Sequence, residues 1–165
     1  GIGPGSFTGL RIGISAIKGL SYSLQKPVYT FSSLEAIAYS CMKADFKKIR
    51  IIVDARRSNI YTSLYEKKRL SLKRISEDSL VPFNDLAKKS SGDFVLCGDA
   101  LETYKNEINE HFRSCGKLGS EFWYPNPEGI AVLTKEMIGK GKGLDSFSLN
   151  ARYLYEQDCQ VKKVC

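Results

Sequence analysis

The feature that most restricts how this chain folds is its opening run, GIGPGSFTGLRIGISAIKGLSYSL over residues 1–24. Five glycines fall at positions 1, 3, 5, 9 and 13, and Pro4 fixes φ between the second and third. Such a run makes a sharp turn, not the interior of a strand or a helix. Ser6 and Thr8 then offer side-chain oxygens to the orphan N–H groups of a helix start. From about Phe7 the period becomes helical, with Leu10, Ile14, Ile17, Leu20 and Leu24 at three- and four-residue spacing. Beside that stripe Gly9, Gly13, Ala16 and Gly19 form a row of small residues. A glycine inside a helix costs about 1 kcal/mol against alanine, so a row of them points to close backbone approach.

The residues alone leave three readings open for this turn and helix: a phosphate cradle at a helix N-terminus, a structural strand-to-helix turn, or a helix-packing or partner interface. The sharp phosphate motifs are not met. A Walker loop needs Lys and then Ser or Thr after its last glycine, whereas Ile14 and Ser15 follow Gly13. The GxGxxG pattern fails because Ser6 stands three after Gly3 and Thr8 three after Gly5.

The 165 residues suit one domain or two small lobes, and 42% hydrophobic content supplies a core. No apolar run approaches the roughly 18 residues of a membrane helix, so a soluble protein is expected. The cysteines at 41, 97, 115, 159 and 165 contain no CxxC pair, and His111 is the one histidine. Neither a disulfide framework nor a zinc site is suggested, and reduced thiols in a cytoplasm are expected. The formal charge is +7, with basic clusters at Lys47-Lys48-Arg50, Arg56-Arg57, Lys67-Lys68-Arg69 and Lys73-Arg74. Arg56, Arg57, Lys67 and Lys68 are the candidates to face RNA phosphates on one positive face, the alternative being an ordinary solvated surface. Tyr61 and Tyr65 read as core or cross-strand partners.

Along the chain, Lys26-Pro27 ends the first helix and Val28–Phe31 reads as a short strand. Ser32 or Ser33 caps a second helix to about Met42. A polar stretch from Lys43 to Lys48 marks a lobe boundary. Ile49–Asp54 is a continuous apolar strand suited to burial on both faces. Ile60–Glu66 and Leu70–Ile75 follow as two more antiparallel strands. Pro82 and Phe83 open a short helix to about Lys89, the SSGD linker follows, and Phe94–Cys97 is a buried strand. Asp99 reads either as a residue at the carboxyl end of a strand, where α/β sheets place ligands, or as the N-cap of a helix from Ala100 to Phe112. Phe122–Tyr124 reads as a final short strand, and Glu128 to about Lys140 as a helix with Ile130, Leu133, Met137 and Ile138 inward. The expected division is 1–45, 46–126 and 127–165. This pattern by itself reads as α/β with an antiparallel portion.

The motif GIGPGSFTGLRIG, followed by a helix and KPVY at Lys26–Tyr29, resembles the TsaB (YeaZ) family, the non-catalytic subunit of the bacterial machinery that makes threonylcarbamoyladenosine in tRNA. Weaker echoes are DARRSNIY at 54–61, Gly98-Asp99, and ARYLYEQDCQVKK at 151–163. The resemblance implies an actin-like ATPase (RNase H-like) α/β fold in two lobes with mixed sheets. It also implies a preceding segment of strands and a helix, so the first lobe is expected to be incomplete here. In catalytic paralogues the strand corresponding to Val28–Phe31 is followed by an HHMEGH-like segment whose two histidines, four apart, hold the metal. Here the segment reads SSLEAI, with Ser33 and Ile37 at the ligand positions, so the resemblance implies no metal, no cofactor and no catalytic residue. It implies a partner-binding surface on the first helix at Ser6, Phe7, Thr8, Gly9, Leu10, Arg11, Gly13, Ile14, Ile17, Lys18 and Ser21. The implied partners are a TsaD-like catalytic threonylcarbamoyltransferase subunit and a TsaE-like ATPase subunit, with tRNA through the complex, a homodimer when alone, and no membrane. The competing class is an enzyme, an actin-like-fold ATPase or a metal-dependent glycoprotease; one histidine and the lack of Walker or kinase signatures speak against it.

Overall fold

The computed structural model describes residues 1–89 and 93–155. Its axis is β1 (Lys48–Asp54), whose β-branched run faces apolar surroundings on both sides. β2 (Asn59–Lys67) returns antiparallel to it in the register Lys48↔Glu66 to Asp54↔Ile60. In the turn between them Arg56, Arg57 and Ser58 all take left-handed φ values of 66°, 52° and 59°. The Asp54 carboxylate accepts the Arg56 N–H at 2.8 Å to hold that turn. β3 (Leu72–Arg74) and β4 (Ser79–Pro82) share the outer edge of β2, both antiparallel to it. β5 (Val95–Cys97) lies parallel to β1 on the other side, which makes a mixed sheet of order β3-β2-β1-β5.

Helices cover both faces. On one side α2 (Ser33–Ser40) sets Leu34, Ile37 and Ala38 against Ile49, Ile51 and Tyr65. On the other, α3 (Phe83–Lys89), α4 (Ala100–Thr103) and α5 (Lys105–His111) enclose Ile52, Ile60 and Leu96 with Phe83, Leu101 and Ile108. α6 (Pro127–Gly139) crosses α2 at close range, since a Cβ on Gly129 would meet the Ser40 nitrogen at 2.6 Å. Tyr39 Oη donates to Glu136 Oε2 at 2.5 Å across that contact. α1 (Phe7–Leu24) stands apart, with Ser21 its one buried residue.

Several expectations are corrected. Val28–Phe31 forms no strand but one bridge, Val28↔Leu144, closed by two N–H···O bonds of 2.8 Å. β4 went unread because four residues ending in Pro82 carry little alternation. The Ala100–Phe112 helix breaks at Tyr104, whose ring stacks on Phe83 at 4.5 Å between centroids. Asp99 does not cap α4; its carboxylate accepts the Asp54 N–H at 2.9 Å and ties the end of β1 to the start of α4. Phe122–Tyr124 is no strand either. A 3₁₀ turn at Ser120–Phe122 stands there, followed by Trp123, whose indole N–H reaches Leu118 O at 3.0 Å. On α6 Leu133 is buried as expected, but Ile138 is exposed. Gly98 sits at φ +130°, and a Cβ there would collide with the Ile52 carbonyl oxygen, so this strand end needs glycine. Most of the SSGD linker, the tail after Tyr155, Cys159 and Cys165 lie outside the described residues.

Candidate partner interface

The glycine turn is held from three directions. The Ile2 N–H reaches Phe31 O at 3.0 Å, the Ser33 N–H reaches Gly3 O at 2.8 Å, and the Arg152 N–H reaches Ile2 O at 2.7 Å. Gly3 takes φ +116°, where a Cβ would run into the Arg152 carbonyl oxygen, so the turn fits this clamp only with glycine. Ser6 then caps α1, its hydroxyl accepting the Gly9 N–H at 3.3 Å. Phe7 is pinned between the Tyr153 ring, 5.0 Å away, and the Arg11 guanidinium, 3.9 Å above its own ring. At the far end Gln25 closes the helix in a left-handed conformation. The Ser21 hydroxyl donates to Lys26 O at 2.6 Å.

Between these anchors α1 rests on a narrow strip. At 100° per residue Leu10, Ile14 and Ser21 share the inward direction, and Leu10 and Ile14 are half-buried. The adjoining sector carries Gly9, Gly13, Ala16, Ile17, Leu20 and Leu24, and it faces outward. Leu20 and Leu24 are 56% and 64% exposed, and Ile12 on the far edge 67%. A Cβ placed on Gly13 or Gly19 would find no heavy atom within 4 Å. The helical period therefore reported a real apolar stripe, but the chain's own core takes up only its edge. A groove of about 320 Å³ runs beside it, lined by Leu10, Ile14, Ile17, Val28, Tyr29 and Leu149 among others.

The structure brings Ser6, Phe7, Thr8, Gly9, Leu10, Arg11, Gly13, Ile14, Ile17 and Lys18 onto one helix with much of its surface open. Ser21 departs from the expected set: it is buried and spent on the C-terminal loop, so it does not face a docked partner. Ile37 is buried in the core against the sheet, and its side chain has no donor atom. Among the described residues no cluster of three or more His, Cys, Asp or Glu side chains is placed to hold a metal.

The four cations proposed for RNA do not share a face. Arg56 and Arg57 sit in the β1–β2 turn, and Lys67 and Lys68 at the opposite end of β2, about 26 Å of extended strand away. Arg56 pairs with Asp54 at 3.1 Å. Lys67 points into the α2 side, where its ammonium donates to Ala44 O at 2.8 Å and lies 4.9 Å from the Phe46 ring. The sequence reading missed Tyr153 and Arg152 as the clamps of the glycine turn, for which distant pairing leaves no local signal. It also missed Asp78, fully buried, which accepts from Arg152 at 3.1 Å and Arg74 at 3.4 Å and so ties the tail to β3.

Residues 1–125 match the family model described as "TsaD: tRNA N6-adenosine threonylcarbamoyltransferase". A Bacillus subtilis protein described as tRNA threonylcarbamoyladenosine biosynthesis protein TsaB is 34% identical over 81% of this chain and 60% of its own. Those of Buchnera aphidicola and Escherichia coli, described in the same words, are 31% and 27% identical over 78% and 86% of this chain. The chain belongs to the TsaB (YeaZ) family. A solved structure of YeaZ from Pseudomonas aeruginosa superposes with a TM-score of 0.78 at 23% identity, over 93% of this chain and 72% of that one. A second structure from that organism, described as similar to peptidase YeaZ, gives 0.77 at 21% identity. The fold is accordingly of the actin-like, RNase H-like kind, a mixed sheet with helices on both faces. This chain spans 60–63% of the length of those three curated relatives. No helix among the described residues is long and apolar enough to cross a membrane.

Proposed function

We propose that this chain serves the synthesis of threonylcarbamoyladenosine in tRNA as a non-catalytic subunit that docks on the threonylcarbamoyltransferase subunit through the open face of α1. The observation that carries the reading is the unused surface of that helix. Leu20, Leu24 and Ile17 stand exposed beside Gly9, Gly13 and Gly19. A partner helix settling there buries apolar area while the glycines admit its backbone to the 8–10 Å interaxial distance of packed helices. Arg11, held over Phe7, supplies a charged group at the rim. An ATPase subunit and the tRNA join through the complex, and in the absence of the catalytic subunit the same face pairs two copies of the chain. The names carried by the curated relatives support the pathway. The test is coexpression of the tagged chain with the transferase subunit from the same cells. Co-elution in fixed stoichiometry through affinity and size-exclusion columns is expected, and separate elution at micromolar concentration overturns the reading.

A further inference from the structure

The sheet carries a second open surface, on the face opposite α2 and at the end far from the Arg56 turn. Directly opposed residues share a face, so Lys48, Glu66 and Lys73 form one row across β1, β2 and β3. Alternation adds Arg50 and Lys68 to the same face. Lys68 and Lys73 are exposed there, and Lys48, Arg50 and Glu66 are partly exposed beside Phe94. Four cations thus surround one carboxylate, and that carboxylate pairs with Lys68 at 2.5 Å. Among the described residues no carboxylate lies within ion-pair distance of Lys48, Arg50 or Lys73. Arg50 stacks its guanidinium on the Phe94 ring at 4.9 Å, and its Nε is buried without a hydrogen-bond partner. The local field is positive enough to hold the Glu66 carboxyl below its usual range, through the Lys68 hydrogen bond first and then the charges of Lys68, Lys48 and Lys73.

We infer that this end of the β1–β2–β3 face, with Lys48, Arg50, Lys68 and Lys73, binds the phosphate backbone of RNA. The inference rests on the tRNA-modification reading above for the kind of polyanion. The geometry favours a polymer over a single small anion: Lys48 and Lys73 are two strand spacings apart, about 10 Å, and no wall encloses them. A lipid surface fits less well. Peripheral anchoring adds a continuous apolar face to the charges, whereas the exposed large apolar side chains near this patch are Leu70, at the tip of the β2–β3 hairpin, and Ile75, just after β3. Backbone binding of this kind releases counterions, so affinity falls with salt at a log–log slope of about 0.7–0.9 per phosphate contacted.

The experiment titrates the full chain with unfractionated tRNA at several potassium chloride concentrations and follows anisotropy. Four contacts give a slope of about −3. Lys48→Glu/Lys68→Glu/Lys73→Glu is expected to weaken binding at least tenfold and to flatten the slope by about 2. The milder Lys68→Gln/Lys73→Gln pair, with a native circular-dichroism melt, is expected to flatten it by about 1.5. Arg56→Glu/Arg57→Glu, at the far end of the hairpin, is the control and is expected to bind like the parent. Absent binding, unchanged binding by the triple variant, equal losses in the Arg56/Arg57 control, or preference for phosphatidylserine vesicles over tRNA overturns the inference. Capture of the transferase subunit through α1 is measured on the same variants. Absent RNA binding by the parent with capture intact strikes this inference alone, whereas failed capture by the parent with RNA binding intact strikes the docking reading alone.

Discussion

Gly13→Leu separates an interface helix from a core helix because the two assign it opposite signs. Nothing within 4 Å awaits a side chain at position 13, so the leucine meets no internal obstacle in the isolated chain. Glycine lies about 1 kcal/mol below alanine in helix propensity and leucine close to alanine, which makes the substitution stabilising by about 0.7 kcal/mol. In a chain of this size that raises the melting temperature by about 2 °C. The same leucine stands in the sector where a partner helix approaches. Forcing packed helices apart there removes a central contact of about 3 kcal/mol, more than about a hundredfold in Kd. Differential scanning calorimetry of the chain and titration calorimetry against the transferase subunit read the two effects on one sample. A melting temperature that drops by several degrees refutes the exposed placement of α1, and an unchanged Kd refutes its use as the docking face.

Other consequences follow from the described contacts. Asp78→Asn removes the buried one of the two carboxylates that Arg74 and Arg152 share, leaving them the exposed Glu77 and, for Arg74, also Glu35; because these partners remain and both arginines keep some water, the loss is expected near about 2 kcal/mol, read as a lower urea midpoint at constant m-value. The Glu136 carboxyl is held below its ordinary 4.5 by Lys140 first and by the Tyr39 hydroxyl second. Its folded pKa lies below the unfolded one, so its contribution, about 1 kcal/mol, is complete above pH 4.5 and fades as pH falls through the folded value. A Glu136→Gln chain is therefore less stable than its parent at pH 7, and urea titrations are expected to draw together in acid; a gap that does not narrow as pH falls below 4.5 contradicts the assignment. Cys41 and Cys97 are buried with their sulfurs 3.6 Å apart, and the Cys97 thiol is pushed far up by the hydrogen bond with Cys41 and by burial. Iodoacetamide is expected to modify Cys115 in the folded chain and to reach Cys41 and Cys97 only in denaturant, as peptide mass spectrometry would record.

The legible parts of the fold were those written in local pattern. The Ser6 cap, the cap at Ser32 or Ser33, the two-sided apolar run of β1 and the helix from about Glu128 each carry their signal within a few residues. What escaped was decided at a distance. Val28–Phe31 has strand composition but meets a single neighbour, at Leu144. Asp99 has the chemistry of a cap, yet the Asp54 N–H at the end of β1 takes its carboxylate. The basic residues illustrate the same limit: alternation along β2 sends Lys67 and Lys68 to opposite faces, and the hairpin separates both from Arg56 and Arg57 by its whole length. Composition counted these charges, but only strand register sorted them into a structural lysine, a turn and an open patch. On α1 the stripe and the glycines were visible from the start, and the structure added that little of the chain covers them.

The central claim is that the chemistry belongs to a partner which this chain supports. It is tested most directly by reconstituting the modification with unmodified tRNA, a source of the threonylcarbamoyl group and the purified transferase subunit, with and without this chain. Threonylcarbamoyladenosine in the digested tRNA is expected to form when the chain and the transferase subunit are present together and to fall to background when either is left out. Modification by this chain without the transferase subunit, or equal modification by the transferase subunit without this chain, would contradict the account.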